Sequence, residues 1–137
     1  MISRNSSAGI RLVSTIIAVS DLQHSTEFYS TVFQWKIFLQ ENMITIYELP
    51  NRTHFMLYKK EAFAVNLRQK PEIVSKGAIN GTEFYFHTED LEAVIKRFEA
   101  ISARCLTPLS ERPWGDEAAY YADPDGNVLA IGRPLKK

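Results

Sequence analysis

The sequence predicts an α+β domain built from two βαβββ modules that follow one another along the chain. Runs of β-branched and aromatic residues alternate with two segments whose apolar residues recur every three or four positions. The order of these elements in the first half is repeated in the second. The length of 137 residues suits one hydrophobic core and leaves no room for a second independent one. We therefore expect both modules to form one domain.

The first module is predicted to span residues 11–60. Leu12 to Val19 is rich in β-branched residues and bounded by polar ones, which is typical of a strand covered on both faces or nearly so. Asp21 can cap a helix, because four residues after it recur at helical spacing on one face. These are Leu22, Ser25, Tyr29 and Val32. Three strand candidates complete the module: Trp35–Gln40, Met43–Leu49 and His54–Lys59.

The second module, residues 82–135, repeats this order. Glu83–Thr88 is the predicted first strand, and Asp90 is the predicted cap of the helix that follows. The apolar stripe of that helix comprises Leu91, Val94, Phe98 and Ile101. The remaining strands are predicted at Arg104–Leu106, Glu117–Ala122 and Asn127–Ile131. Asp21 and Asp90 are 69 positions apart, and at this offset the apolar positions of the two helices coincide.

Three further segments connect or flank the modules. Residues 61–81 contain a single proline and no clear apolar period, so they are predicted to form the linker between modules. Residues 1–10 are polar and are predicted to form a flexible N-terminus. The sequence Asp123-Pro124-Asp125-Gly126 has the residues that a type I turn prefers, with Pro at its second position and Gly at its fourth. This turn is expected to close a hairpin.

The composition excludes several classes of partner. Sixteen basic side chains balance sixteen acidic ones, and no run of Lys or Arg suggests a local patch, so neither nucleic acid nor a membrane surface is expected as a partner. Cys105 is the single cysteine, so an intrachain disulfide is excluded. A single cysteine agrees with a cytoplasmic location. We expect Cys105 to be a small buried apolar residue. The first ten residues lack the apolar stretch of a secretory signal.

Three stretches of the sequence carry a resemblance to a known superfamily: VSDLQHSTEFYSTVFQW, TEDLEAVIKRFEA and RPWGDEAAYYADPDGNVLAIGRP. Together they resemble the vicinal oxygen chelate superfamily, which includes glyoxalase I, extradiol dioxygenases, fosfomycin-resistance enzymes and bleomycin-resistance proteins. The resemblance implies that the two modules form a curved mixed sheet around a concave cavity, with the helices on the convex side. Because members of this superfamily differ in chemistry more than in architecture, the resemblance leaves the function open.

The resemblance also implies four positions at which metal-dependent members hold a divalent ion. Here they fall on Ser14, Glu83, Ala130 and, at or near it, Leu57. Only Glu83 is a strong donor, and a catalytic ion needs several. His87 shares a strand face with Glu83, but four residues separate their attachment points by about 13 Å. His54 is expected to face the helices, so we predict neither a metal ion nor any other cofactor.

The cavity is expected to be lined by aromatic, titratable and small side chains. The predicted ligand-binding residues are Glu83, Tyr85, His87, Trp114, Tyr120, Ser14, Leu57 and Ala130. Tyr120 is preferred over Tyr121, because a bulged hairpin loop would bring Tyr120 opposite Ala130. The small and apolar residues at the implied metal positions favour a hydrophobic or aromatic ligand.

The sequence thus predicts a metal-free protein that sequesters or senses a small, partly aromatic and cationic molecule. The first alternative is a metal-independent lyase or isomerase, in which Glu83 is the general base and Tyr120 or His87 stabilises an oxyanion. Two others are a glyoxalase-like metalloenzyme with a rearranged site and a dimerising module with a vestigial cavity. A homodimer is expected, in which the modules pair either within one chain or between two.

Overall fold

The computed structural model describes residues 9–136 and contains eleven elements in that range. Eight of the predicted flexible N-terminal residues, 1–10, lie outside the described residues. In chain order the elements are β1 (Ser14–Val19), α1 (Leu22–Phe33), β2 (Lys36–Gln40), β3 (Ile44–Glu48), β4 (His54–Lys59), α2 (Lys60–Leu67), β5 (Glu83–His87), α3 (Leu91–Ala100), β6 (Arg104–Glu111), β7 (Asp116–Ala122) and β8 (Val128–Pro134).

The strands form two four-stranded mixed sheets with the same topology. The order is β1-β4-β3-β2 in the first sheet and β5-β8-β7-β6 in the second. In each, the first strand of the module runs parallel to the last, and the other two pairs are antiparallel. Neither sheet closes on itself. This arrangement confirms the predicted α+β fold of two βαβββ modules.

The helix α1 begins and packs as its sequence predicts. A carboxylate oxygen of Asp21 accepts a hydrogen bond from the backbone N–H of His24 at 3.0 Å, which satisfies one of the free donors at the helix start. All four residues of the predicted stripe are buried. The helix ends at Phe33, and the residue that caps it, Gln34, has a left-handed backbone with φ of 57°.

The helix α3 starts at the predicted place but by a different contact. Asp90 is the N-cap residue, yet its side chain makes no capping hydrogen bond. Instead, the hydroxyl of Thr88 accepts a hydrogen bond from the backbone N–H of Asp90 at 3.1 Å. Leu91, Val94 and Phe98 are buried, as the stripe predicts.

A single hydrophobic core joins the two modules. It contains residues of both sheets and of α1 and α3, among them Tyr29, Phe55, Phe98, Tyr121 and Leu129. The aromatic rings in it form a connected cluster, in which the ring of Phe98 stacks on Tyr121 with their centroids 4.0 Å apart. Since α1 and α3 cover one face of each sheet, we call the opposite face the open face.

The hairpin between β7 and β8 confirms the predicted turn and fastens the two modules together. The carbonyl of Asp123 accepts the backbone N–H of Gly126 at 3.0 Å, which is the hydrogen bond expected of a type I turn. The resulting register places Tyr120 opposite Ala130. From the first module, the buried Tyr29 hydroxyl donates to a carboxylate oxygen of Asp123 at 2.6 Å.

Two predictions about β6 differ from the structure. Cys105 was predicted to be buried and is exposed, because it lies on the edge strand β6. The prediction ended this strand at Leu106, but it continues to Glu111, since an edge strand tolerates a residue such as Pro108 that lacks a backbone donor.

The predicted linker, residues 61–81, begins within the short helix α2. No residue of α2 is buried, which explains why the segment has no apolar stripe. Within residues 9–136, every helix is too short or too polar to cross a lipid bilayer.

Candidate functional site

The open face of the second sheet carries most of the predicted site residues. On β5, Phe84 and Phe86 pack against the core. Because side chains alternate along a strand, Glu83, Tyr85 and His87 lie on the open face. Their counterparts on β7 and β8, placed by the strand register, include Asp116, Ala118, Tyr120, Val128, Ala130 and Gly132.

Four side chains on this face form a continuous hydrogen-bonded group, which we call the polar cluster: Trp114, Tyr85, Asp116 and His87. The indole N–H of Trp114 donates to the hydroxyl of Tyr85 at 2.8 Å. That hydroxyl donates to Oδ2 of Asp116 at 2.6 Å, and Nε2 of His87 lies 2.8 Å from the same oxygen. Since a carboxylate can only accept, Nε2 of His87 carries the hydrogen. The other ring nitrogen, Nδ1, is therefore left for a ligand.

Asp116 is the centre of the polar cluster and is not among the site residues that the sequence predicts. It is 9% exposed, and its hydrogen bonds with Tyr85 and then with His87 lower the pKa of its carboxyl below the ordinary value. Conversely, burial and the bond to Asp116 raise the pKa of the Tyr85 hydroxyl. Asp116 is consequently an anion and Tyr85 a neutral donor at neutral pH.

The loop between β6 and β7 positions Trp114 beside the cluster. The backbone N–H of Gly115 donates to the carbonyl of Arg112 at 3.2 Å, and the N–H of Arg112 donates to the carbonyl of Asp116 at 2.7 Å. Gly115 has φ of 94°, a left-handed conformation that favours glycine. The Pro-Trp-Gly-Asp motif thus forms a tight turn that holds its tryptophan over the open face.

A second group lies along the neighbouring strands. Ala130 pairs in register with Tyr85 on one side and Tyr120 on the other, and it is fully buried. The guanidinium of Arg112 lies 4.8 Å from the centre of the Tyr120 ring, and its Nη2 donates to the carbonyl of Ala118 at 2.9 Å. Burial and the negative charge of Glu83 raise the pKa of Tyr120.

The structure therefore brings together six of the eight predicted ligand-binding residues on one sheet face: Glu83, Tyr85, His87, Trp114, Tyr120 and Ala130. Glu83 is exposed and lies two residues before Tyr85, outside the polar cluster. Ser14 starts β1 in the first sheet, so it does not belong to this face. Asp116 and Arg112 complete the site. Both belong to the Arg-Pro-Trp-Gly-Asp segment, of which only Trp114 is predicted from the sequence to bind a ligand.

The predicted role of Leu57 is wrong. This side chain is fully buried in the core, so it cannot line the open face. Ile16 pairs with Met56 in the first sheet as Tyr85 pairs with Ala130 in the second. Met56 is therefore the equivalent of Ala130, one residue before the predicted position.

The predicted orientation of His54 is wrong for the same reason. Its neighbour Phe55 belongs to the core, so His54 must lie on the open face. There its ring lies 4.8 Å from that of Phe38, centre to centre.

With this correction, the four positions at which the superfamily holds a metal are Ser14, Met56, Glu83 and Ala130. They offer a hydroxyl, a thioether, a carboxylate and a methyl group. A hard or borderline divalent cation requires several oxygen or nitrogen donors, so these residues do not fit one. Within residues 9–136, no other group of three or more His, Cys, Asp or Glu side chains has a geometry that could hold a metal ion.

Comparison with known proteins identifies similar sequences and folds. Residues 12–136 match the family model described as a glyoxalase-like domain. No curated protein matches the sequence. The fold is similar to that of a glyoxalase/bleomycin resistance protein/dioxygenase from Nocardioides, with 15% identity, a TM-score of 0.76, and coverage of 99% of this chain and 87% of that one.

Two further solved structures have the same fold. A lactoylglutathione lyase from Agrobacterium tumefaciens is 23% identical with a TM-score of 0.68, over 90% of this chain and 92% of that one. A glyoxalase-related enzyme from Fulvimarina pelagi is 18% identical with a TM-score of 0.74, over 90% of this chain and 87% of that one. At these identities the likeness establishes the fold alone.

Proposed function

The chain belongs to the glyoxalase-like domain family, and on that premise we propose that it is a metal-free protein that sequesters or senses a small, partly aromatic ligand. The ligand would lie on the open face of the second sheet. The observation that carries this proposal is the polar cluster, in which a carboxylate, an imidazole, a phenol and an indole are held together in fixed positions. Such a group can recognise a ligand without a metal.

The exposure of the aromatic rings supports an aromatic ligand. Trp114 is 56% exposed and Tyr85 is 39% exposed, although both are held by hydrogen bonds. Rings that are fixed and still accessible offer stacking surface with little loss of side-chain entropy on binding. Ala130 lies between Tyr85 and Tyr120 in the strand register, but it is fully buried and so offers no surface of its own to a ligand.

The charges on this face favour a ligand with a cationic group. Asp116 is held as an anion by its hydrogen bonds, and Glu83 adds a second, exposed carboxylate. Arg112 lies beside them and keeps its positive charge, since its partners, the carbonyl of Ala118 and the ring of Tyr120, are neutral. The two carboxylates outnumber this guanidinium, so an ammonium group would meet a net negative potential.

One geometric feature favours an enzyme as the second candidate. The bond between Asp116 and Nε2 of His87 has the form in which a carboxylate orients an imidazole for proton transfer, with Nδ1 free to act as the base. In this alternative the protein is a metal-independent lyase or isomerase in which His87 or the exposed Glu83 abstracts a proton. A solved structure of the same fold is named a lactoylglutathione lyase. The further alternative of a metalloenzyme with a rearranged site has no supporting donor set among the described residues.

We also propose that the functional form is a homodimer. The open face of the first sheet exposes the large apolar side chains of Ile16, Phe38 and Leu39, each at least 37% accessible. Such a surface is costly in water unless it is covered. A second copy of the chain could cover it and enclose the ligand. Neither nucleic acid nor a membrane is proposed as a partner, and a cytoplasmic location is proposed from the cysteine content.

Fluorescence titration with a matched pair of probes tests the proposed function. Benzyltrimethylammonium and benzenesulfonate have the same ring and opposite charges. The cation should quench the emission of Trp114 in a saturable way, and Trp114→Ala should weaken binding about tenfold or more as measured by calorimetry. Val65→Ala, at an exposed apolar position on α2, is the control. Equal affinity for both probes, or unchanged affinity in Trp114→Ala, would contradict the proposal.

The variant Glu83→Gln separates binding from catalysis. A sequestering protein should bind the cation more weakly by roughly the value of one exposed charge pair, about 0.2–1 kcal/mol. An enzyme that uses Glu83 as its base should keep its binding of substrate and lose turnover by about 100-fold or more. Turnover lost in His87→Gln but retained in Glu83→Gln would point to the imidazole instead.

A further inference from the structure

A cavity of about 550 Å³ lies between the helical side of the molecule and the β7–β8 turn. Its walls come from four separate segments: one side of α1, residues 76–78 of the linker, residues 101–104 after α3, and residues 122–126 at the turn. It shares no lining residue with the polar cluster. Its volume is within the range of sites that bind small organic molecules, about 300–1,000 Å³.

The inner surface of the cavity is mainly apolar. Phe28, Ala122 and Gly126 are buried residues of its lining, and Ile101 and Ala103 add further apolar side chains to it. A ligand that fills this space would place a hydrocarbon or aromatic body against the apolar lining and so remove that body, and the part of the lining that is still accessible, from water.

The buried carboxylate in the cavity wall, Asp123, is already satisfied. Its two oxygens accept hydrogen bonds from the Tyr29 hydroxyl, the Asn127 amide, and the backbone N–H groups of Asp125 and Asn127, at 2.6 to 2.9 Å. Because these donors occupy both oxygens, Asp123 has little capacity left to bind a ligand cation.

The rim carries more groups that can bind an anion than groups that can bind a cation. Arg104 lines the cavity, and its Nη1 donates to the carbonyl of Gly77 at 2.8 Å, which leaves its other N–H groups free to turn towards a ligand. Lys76 and His24 lie on the same rim, and Glu27 is the exposed carboxylate among the lining residues. A planar guanidinium at the mouth of an apolar cavity is suited to a carboxylate.

From the volume, the apolar interior and the rim charges, we propose that this cavity is a second binding site, which takes a small organic anion with an apolar body, such as an arylalkyl carboxylate. The carboxylate would lie at Arg104 with Lys76 nearby, and the apolar body would lie against Phe28. Since the proposed ligand of the open face is cationic, the two sites differ in the charge that they select.

Nuclear magnetic resonance titration with 4-phenylbutyrate tests the proposal, with 4-phenylbutyramide as the uncharged counterpart. The carboxylate should shift the backbone amide signals of Ala78, Ser102 and Ala103 in a saturable way, with a Kd below about 1 mM. The amide should bind at least about tenfold more weakly, because it lacks the charge-assisted hydrogen bonds. Shifts confined to Tyr85 and Trp114, or equal binding of both probes, would overturn the proposal.

Three variants locate the site by its residues. Arg104→Gln should weaken 4-phenylbutyrate about tenfold, whereas Arg104→Lys should restore part of the affinity. Thr31→Trp, at an exposed position of α1 on the cavity wall, should block binding. Lys96→Trp, at an exposed position of α3 outside the cavity, is its control. If Arg104→Gln does not fold, Lys76→Gln gives the same test, and unchanged affinity in both Thr31→Trp and the charge variant would refute the site.

Discussion

Replacing Tyr29 by phenylalanine removes a single oxygen atom from a contact between the two modules. The ring of Tyr29 is fully buried, and its hydroxyl donates to Asp123 at 2.6 Å. A hydrogen bond to a charged group contributes about 1.5–3 kcal/mol to stability. We expect Tyr29→Phe to lower the free energy of unfolding by this amount at neutral pH, with no change in the packing of the ring. Urea denaturation with linear extrapolation measures the difference.

The pH dependence of this loss follows from the pKa of Asp123. Burial raises that pKa above the ordinary value, and the hydrogen bond from Tyr29 partly opposes the rise. The charge of Asp123 therefore costs stability above its folded pKa, and this cost disappears as the pH falls through that pKa. Without the hydroxyl of Tyr29 the cost is larger. The difference between variant and wild type should therefore shrink on acidification, to about 0.5–1.5 kcal/mol for a neutral hydrogen bond.

The control is Tyr121→Phe, at another buried tyrosine of the same core. Tyr121 stacks on Phe98, burial raises its pKa to about 12, and its hydroxyl has no hydrogen-bond partner within residues 9–136. Its removal should change stability by less than about 0.5 kcal/mol. A loss of similar size in both variants, or a loss in Tyr29→Phe that does not change with pH, would refute the reasoning.

Three further predictions concern the site, the turn and the core. Tyr85→Phe should raise the pKa of Asp116 towards its ordinary value, because the hydrogen bond from Tyr85 is the largest of the contacts that lower that pKa. Carbon NMR of the Asp116 carboxyl group measures the change, and an unchanged pKa would contradict the hydrogen bond. Gly126→Ala should destabilise the protein by about 1 kcal/mol or more in thermal unfolding, because φ of Gly126 is 84° and an added Cβ would lie 2.4 Å from a backbone oxygen. The control is Gly81→Ala, at a glycine with open space around it, which should change stability by less than about 0.5 kcal/mol. Leu57→Ala should lower the free energy of unfolding by about 2–5 kcal/mol in urea denaturation, as expected of a fully buried side chain. A loss below about 1 kcal/mol would indicate that Leu57 is not part of the core.

The fold could be predicted from the sequence because its elements have distinct periods. The stripes of α1 and α3 recur at helical spacing, and the strands between them are short and rich in β-branched and aromatic residues. The turn at Asp123 was predictable for a local reason, since Asp, Pro and Gly occupy the positions that their backbone preferences suit. The helix α2 was not, because it buries none of its residues and so has no apolar stripe to detect.

The candidate site was predictable only in part. Alternation along one strand correctly grouped Glu83, Tyr85 and His87, because that grouping depends on local geometry alone. Asp116 joins them from about 30 residues away, and no local pattern reveals such a contact. Leu57 was placed one residue wrong, because the parallel register between β1 and β4 depends on the intervening chain. A shift of one residue moves a side chain to the opposite face of the sheet.

Elemental analysis of the purified protein tests the proposed metal-free function most directly. We expect far less than one equivalent of zinc, nickel or iron per chain, with no difference between the wild type and Glu83→Gln. A chelator should leave the binding of benzyltrimethylammonium unchanged. One equivalent of transition metal per chain in the wild type, lost in Glu83→Gln, would contradict the account.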